Sequence, residues 1–266
     1  MACVGDSITS GSGASHKLKT SYPVILEILL NENSQDNSND VYKCVNFGVG
    51  GKTAMKNGVG DNHEPMSYWD TTAYKTSLIS NPDIVIIGLG SNDAKEQNWN
   101  ENLFISDYTE LIASFRRLKS VKEIYILIPP PLYRPFARMR SDVINYKLGE
   151  VIRKIAAKNN VKVINLFQRM GGIKFSKPYL FFTPRKPLKW PNDGCHPNDH
   201  GYRVIARSVY EAILRYDRNI DPKIDVGEVD NDDVDEALKR EVSAMYEKDI
   251  LDKGYTMTRA TEDKRF

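Results

Sequence analysis

Apolar and polar positions alternate along this chain in two textures. Short runs rich in branched side chains occupy residues 2–4 (ACV), 42–47 (YKCVNF), 83–90 (DIVIIGLG), 123–131 (EIYILIPPP) and 162–167 (KVINLF), and each reads as a buried strand. Between them the apolar residues recur every three or four positions, over residues 22–31, 70–80, 106–119, 141–160 and 198–216, which is the spacing of helices with one covered face. Ser106 and Ser141 stand where helix N-caps belong, and Pro197 suits a first helical turn. Strand and helix alternate five times. This predicts a parallel sheet covered by helices on both sides. The expected fold class is α/β: a three-layer α/β/α sandwich, flavodoxin-like, with a five-stranded parallel sheet and a C-terminal helical tail.

In such a sheet, ligands bind beyond the carboxyl ends of the strands. Small and polar residues gather at those ends. Gly5, Asp6 and Ser7 follow the first strand, residues 46–53 (NFGVGGKT) the second, and residues 88–93 (GLGSND) the third; residues 192–202 (NDGCHPNDHGY) precede the last helix. All four segments are expected on one rim.

A serine hydroxyl becomes a nucleophile when a base takes its proton and a third group fixes the tautomer of that base. The chain has four histidines: His16, His63, His196 and His200. His196 stands three residues after Asp193, so the carboxylate can reach the imidazole Nδ1 locally and leave Nε2 for Ser7. His16 and His63 lie in polar stretches and read as surface residues. His196 and His200 have the four-residue spacing of a zinc site, but no Glu follows the first of them, and no metal or other cofactor is expected. Asp93 reads as a carboxylate that accepts hydrogen bonds from backbone amides in its turn.

Gly5-Asp6-Ser7, a glycine after the second strand, Gly90-Ser91-Asn92-Asp93 and Asp193-Gly194-Cys195-His196-Pro197 follow one another in an order that resembles the four blocks of the SGNH (GDSL) hydrolases, over residues 1–216. The resemblance implies a GDSL-like lipase or acylhydrolase in which Ser7 is the nucleophile, His196 the base and Asp193 its orienting carboxylate. It also implies an oxyanion hole formed by the Ser7 amide, the Gly51 amide and the Asn92 side chain. Gly51 fits the pattern through Asn46 and Thr53; Gly48 and Gly50 are alternatives in the same glycine-rich stretch. The expected activity is hydrolysis of a small or medium acyl ester, a carbohydrate O-acetyl group or a lipid ester among them, through an acyl-enzyme.

Charge divides the chain. Residues 217–266 hold 9 Lys and Arg against 15 Asp and Glu, a net charge of −6, while the first 216 residues carry 28 against 20, a net charge of +8. The whole-chain charge of +2 gives no case for nucleic acid, and no apolar stretch approaches the length of a membrane span. Cys3, Cys44 and Cys195 are odd in number and far apart, which suits free thiols in a reducing compartment. With neither a charged n-region nor an Arg-rich presequence after Met1, the expected location is intracellular, cytoplasmic or organellar. In the tail, Val234, Leu238, Val242, Met245 and Leu251 form an apolar stripe at helical spacing. Residues 217–266 are therefore expected to be an acidic extension that docks on this chain or on a protein partner. An alternative reading makes the chain a structural subunit of a larger assembly that keeps a hydrolase fold; the intact Ser7, Asp193 and His196 favour the enzyme. Residues 170–193 make a long connection with Tyr179, Phe181, Phe182 and Trp190 among Lys177, Arg185, Lys186 and Lys189. They form either a substrate rim or a loop whose aromatic rings pack on the body.

Overall fold

Five strands, β1 Ala2–Gly5, β2 Val45–Gly48, β3 Ile84–Gly88, β4 Glu123–Ile128 and β5 Lys162–Asn165, form one sheet in the order β2-β1-β3-β4-β5. Every neighbouring pair is parallel. This is the doubly wound, flavodoxin-like order, whose direction of winding reverses between β1 and β3. The computed structural model describes residues 1–32, 41–182 and 193–217, with the isolated positions Glu236, Lys239, Arg240 and Ala244.

The helices are α1 Ser7–Ser10, α2 Lys17–Thr20, α3 Tyr22–Glu32, α4 Thr72–Ile79, α5 Glu101–Arg116, α6 Ser141–Tyr146, α7 Leu148–Asn159, α8 Leu166–Arg169 and α9 Asp199–Asp217. Strand side chains alternate between the faces of the sheet. Cys3, Ile86, Tyr125, Leu127 and Ile164 meet Leu26 and Leu30 of α3 and Val209 and Ile213 of α9 on one side. Ala2, Val4, Val85, Ile87, Ile124, Ile126 and Ile128 meet Phe104, Leu111 and Phe115 of α5 and Val151, Ile152 and Ile155 of α7 on the other. The expected three layers are present, because strands buried on both faces must be apolar at every position. Cys3, Cys44 and Cys195 are buried free thiols. No helix among the described residues is long and apolar enough to cross a membrane.

Several boundaries differ from the sequence expectation. The helix expected over 106–119 begins five residues earlier, since the Asn100 side chain accepts from the Leu103 amide, and Ser106 lies inside α5. Ser141 is the first residue of α6 rather than a cap, and the helix expected over 141–160 is divided at Lys147, two residues before Gly149. Pro197 precedes the last helix. Asn198 does the capping, its Oδ1 accepting from the amides of His200 and Gly201. The strand expected over 162–167 stops at Asn165, whose side chain caps α8. Tyr179, Phe181 and Phe182 are buried in the body, in agreement with a packed loop. Arg185, Lys186, Lys189 and Trp190 lie outside the described residues. So does the expected docking helix of the tail, apart from the four isolated positions; there Lys239 Nζ stands 5.6 Å from the centroid of the Tyr179 ring.

One buried carboxylate joins two of the strand-end loops. Asp93, beyond β3, accepts hydrogen bonds from the Ala54 amide at 3.0 Å and the Met55 amide at 2.9 Å, beyond β2. Burial pushes its pKa up to about 7 against the pull of those two amides, and the charge of nearby Asp6 pushes the same way. Burial likewise pushes Asp6 up to about 6. Both groups hold their protons more tightly folded than unfolded. Their contribution to stability is therefore fully present below the unfolded carboxyl pKa, near 3.8, and is lost as pH rises through the folded values. Asp93→Asn removes one of the two titrations and turns an amide N–H toward a backbone N–H. We expect it to be less stable than the parent by about 1–3 kcal/mol near pH 5, with the gap shrinking toward pH 8. Urea denaturation at the two pH values checks this; an equal gap at both would show that Asp93 titrates as an ordinary carboxyl.

Candidate active site

Ser7 owes its position to the residue before it. Asp6 ends the run of β1 with φ −96° and ψ −146°, and its Oδ1 accepts from the Ile8 amide at 2.9 Å, so α1 begins at once as a single capped turn. Ser7 is the first residue of that turn. Its amide points out of the helix start and has no acceptor among the described residues. Ser7 is half-buried at the carboxyl end of β1.

The segment from Asp193 to His196 reaches Ser7 from the start of α9. Gly194 has φ +74°, and a Cβ there would stand 2.8 Å from the Arg134 nitrogen, so the turn requires glycine on both counts. Asp193 Oδ1 accepts from the amides of Cys195 and His196, each at 2.8 Å, which aims Oδ2 at the imidazole. His196 Nδ1 lies 2.7 Å from Asp193 Oδ2, and Nε2 lies 2.8 Å from Ser7 Oγ. Burial works to raise the Asp193 pKa, but the hydrogen bond and charge of His196, with the two amides, outweigh it and hold the carboxyl below its ordinary value. An ionised carboxylate, an imidazole and a hydroxyl thus form one line. Such a line can take a proton from the hydroxyl and hold the resulting imidazolium.

Asn92, beyond β3, is buried, and its Nδ2 donates to the Lys52 carbonyl at 3.2 Å and reaches Asp6 Oδ2 at 3.5 Å. The loop after β2 runs beside Ser7, because the Val49 amide donates to the Gly5 carbonyl and the Asn46 side chain donates to the Thr9 carbonyl. The three glycines of this loop differ. The Gly48 amide is taken by Asn46 Oδ1, which removes it as a donor to a ligand. The amides of Gly50 and Gly51 have no acceptor among the described residues. A Cβ at Gly50 would lie 3.8 Å from Ser7 Cβ, and Gly51 has φ +77°.

Ser7, Asp193 and His196 are therefore in direct contact, while Asn92 and the Gly50–Gly51 turn lie on the loops beside them. His200 is outside that line, and burial lowers its pKa. His16 and His63 are exposed. Among the described residues, no three His, Cys, Asp or Glu side chains gather as a metal site. Sequence reasoning assigned no role to Asp6, although an Asp directly before a helical turn is a capping signal. It also gave none to Phe136, whose ring centroid lies 5.4 Å from that of His196. No local pattern points to Phe136.

This chain resembles known proteins in sequence and in fold. Residues 3–204 match the model of the GDSL-like lipase/acylhydrolase family. An acetylxylan esterase from Xylanibacter ruminicola is 26% identical over 231 residues, which cover 80% of this chain and 42% of that protein; the chain thus spans about two-fifths of the length of this curated relative. The lipase/acylhydrolase from Enterococcus faecalis superposes with a TM-score of 0.61 at 20% identity, over 84% of this chain and 97% of that one. A carbohydrate acetylesterase family member from Sinorhizobium meliloti gives a TM-score of 0.57 at 21% identity, over 81% and 96% of the two chains. At such identities the structural likeness is one of fold. The family match spans most of the sequence, so this chain belongs to the GDSL-like lipase/acylhydrolase family.

Proposed function

We propose that the protein is a serine esterase that removes small or medium acyl groups, with carbohydrate O-acetyl esters as the leading substrate class. The observation that carries this reading is the continuous line from Asp193 through His196 to a half-buried Ser7, with both links under 3 Å. The carbohydrate part rests on the relatives named as an acetylxylan esterase and a carbohydrate acetylesterase.

In this reading Ser7 Oγ attacks the ester carbonyl, and His196 Nε2 takes the hydroxyl proton. The carbonyl oxygen gathers negative charge and is met by the Ser7 amide, the Gly51 amide and Asn92 Nδ2. Donors placed for that charge act mainly on the transition state. The Asn92 contact to Asp6 is long enough at 3.5 Å to be exchanged for a hydrogen bond to the substrate oxygen. His196 then gives the proton to the leaving alkoxide as the carbon–oxygen bond breaks. Water attacks the acyl-serine, gives its proton to His196, and the acid departs as the proton returns to Ser7 Oγ. Asp193 stays ionised throughout and holds the imidazole tautomer.

Hydrolysis of nitrophenyl acetate, butyrate and octanoate, together with acetate release from acetylated xylo-oligosaccharides, tests the activity and its chain-length preference. We expect the acetate ester to be preferred and the oligosaccharides to be deacetylated. Ser7→Ala should fold normally and lower kcat by about 10⁴-fold or more, the scale seen when a triad member is removed. It should also lose covalent labelling by a fluorophosphonate; parent-rate turnover by this variant would overturn the assignment. Asn92→Ala should lower kcat by about 10²- to 10³-fold with a small change in KM. A raised KM with unchanged kcat would instead put Asn92 among the substrate-binding groups.

A further inference from the structure

The connection from β4 to α6, residues 129–140 (PPPLYRPFARMR), is fastened at both ends to the segments that carry the site. On one side the Tyr133 amide donates to the Gly194 carbonyl at 2.8 Å, inside the turn between Asp193 and His196. On the other, the Glu96 amide donates to the Arg138 carbonyl at 3.0 Å and the Arg140 amide to the Ala94 carbonyl at 2.9 Å, just beyond Asn92. Arg138 adds an ion pair to Glu96. Between these fastenings the chain takes a conformation that L-residues avoid: Ala137 and Arg138 have φ +47° and +57° in succession. Two adjacent left-handed non-glycine residues persist only where the surroundings hold them, and such strain gathers at functional sites. The bend brings the Phe136 ring against the His196 ring, with centroids 5.4 Å apart and planes at 85°, an edge-to-face contact.

Resting on the reading of His196 as the base, we propose that Phe136 is a positioning residue that holds the His196 imidazole in place while Ser7 is acylated. In the free protein the ring is held at Nδ1 by Asp193 and at Nε2 by Ser7 Oγ. Acylation turns Oγ into an ester oxygen, so that second hold is lost in the intermediate. Of the holds described, the hydrogen bond to Asp193 and the contact with the Phe136 ring then remain. The imidazole must still aim Nε2 at the incoming water: the water oxygen forms its bond to the acyl carbon, the Oγ–carbon bond breaks, and the water proton passes through Nε2 to Oγ. A ring free to turn about its Cβ–Cγ bond misses that water. Phe136 thus matters more for deacylation than for acylation.

Stopped-flow hydrolysis of nitrophenyl acetate by the full chain separates the two steps. For Phe136→Ala we expect kcat to fall by about tenfold to a hundredfold, the scale for a misplaced catalytic group, and KM to fall with it, so that kcat/KM changes little. A burst of nitrophenol close to one equivalent should appear as acyl-enzyme accumulates. Phe136→Tyr, which keeps the ring, should restore kcat, and Phe136→Leu should not. Mere loss of folded protein would instead lower the burst and kcat together without changing KM, and that result overturns the proposal, as does unchanged kinetics in Phe136→Ala. His196→Ala, run alongside, distinguishes the two readings. Parent-rate turnover by that variant means that His196 is not the base, and the positioning role falls with it. An inactive His196→Ala combined with a burst-free Phe136→Ala removes the positioning role alone.

Discussion

The contact between His196 Nε2 and Ser7 Oγ closes a loop of 189 residues, and most of the fold can be read as what makes that closure possible. A hydrogen bond of this length tolerates displacement of a few tenths of an ångström, so both partners must sit on rigid supports. Ser7 is fixed at the end of a fully buried interior strand by the Asp6 cap. His196 is fixed by the glycine turn before it and by Asn198 after it, whose Nδ2 donates to the carbonyls of Tyr179 and Phe182. A further set of bonds ties the two supports together: Asp199 at the start of α9 accepts from Ser15 and Thr20, and the Tyr202 hydroxyl donates to the Ser12 carbonyl.

Three carboxyl groups near the site live in two kinds of environment. Asp193 has a cationic partner when His196 is protonated and two amide donors always, and its pKa is lowered. Asp6 and Asp93 are more deeply buried and are raised by that burial, Asp93 also by the charge of Asp6. The same side-chain type thus supplies a permanent charge beside the imidazole and two groups that titrate nearer neutrality under the strand-end turns, as differences in burial and hydrogen bonding dictate. Two of these are structural by their contacts. Asp6 starts α1, and Asp93 locks the loop after β2 onto the turn after β3.

The loops beyond β2, β3 and β4 also depend on one another. Asn92 bonds the Lys52 carbonyl, Asn98 bonds Val59 in both directions, and the residues after Asn92 pair with those after Phe136. None of these segments has a regular structure that would hold it alone. Their geometry is set by side-chain amides and carboxylates that satisfy backbone groups of a neighbouring loop, which is how irregular chain can be both buried and rigid.

The sequence by itself determined the layers, the strands and the contact between Asp193 and His196. Strands covered on both faces leave an apolar run that local reading detects, and Asp193 and His196 meet within one turn of chain, so their pairing is local too. The four polar segments at strand ends followed from where parallel strands present their carboxyl ends. Only the tertiary structure decided the rest. Gly50 stands beside Ser7, with a Cβ there 3.8 Å from that of Ser7, because the loop after β2 is tied to Thr9 through Asn46. Phe136 reaches His196 because sheet order brings the β4 loop beside the start of α9 and a strained bend turns the ring inward. Periodicity and capping signals describe neighbours within about four residues. A contact across 60 or 189 residues depends on strand order and register, which those signals do not encode.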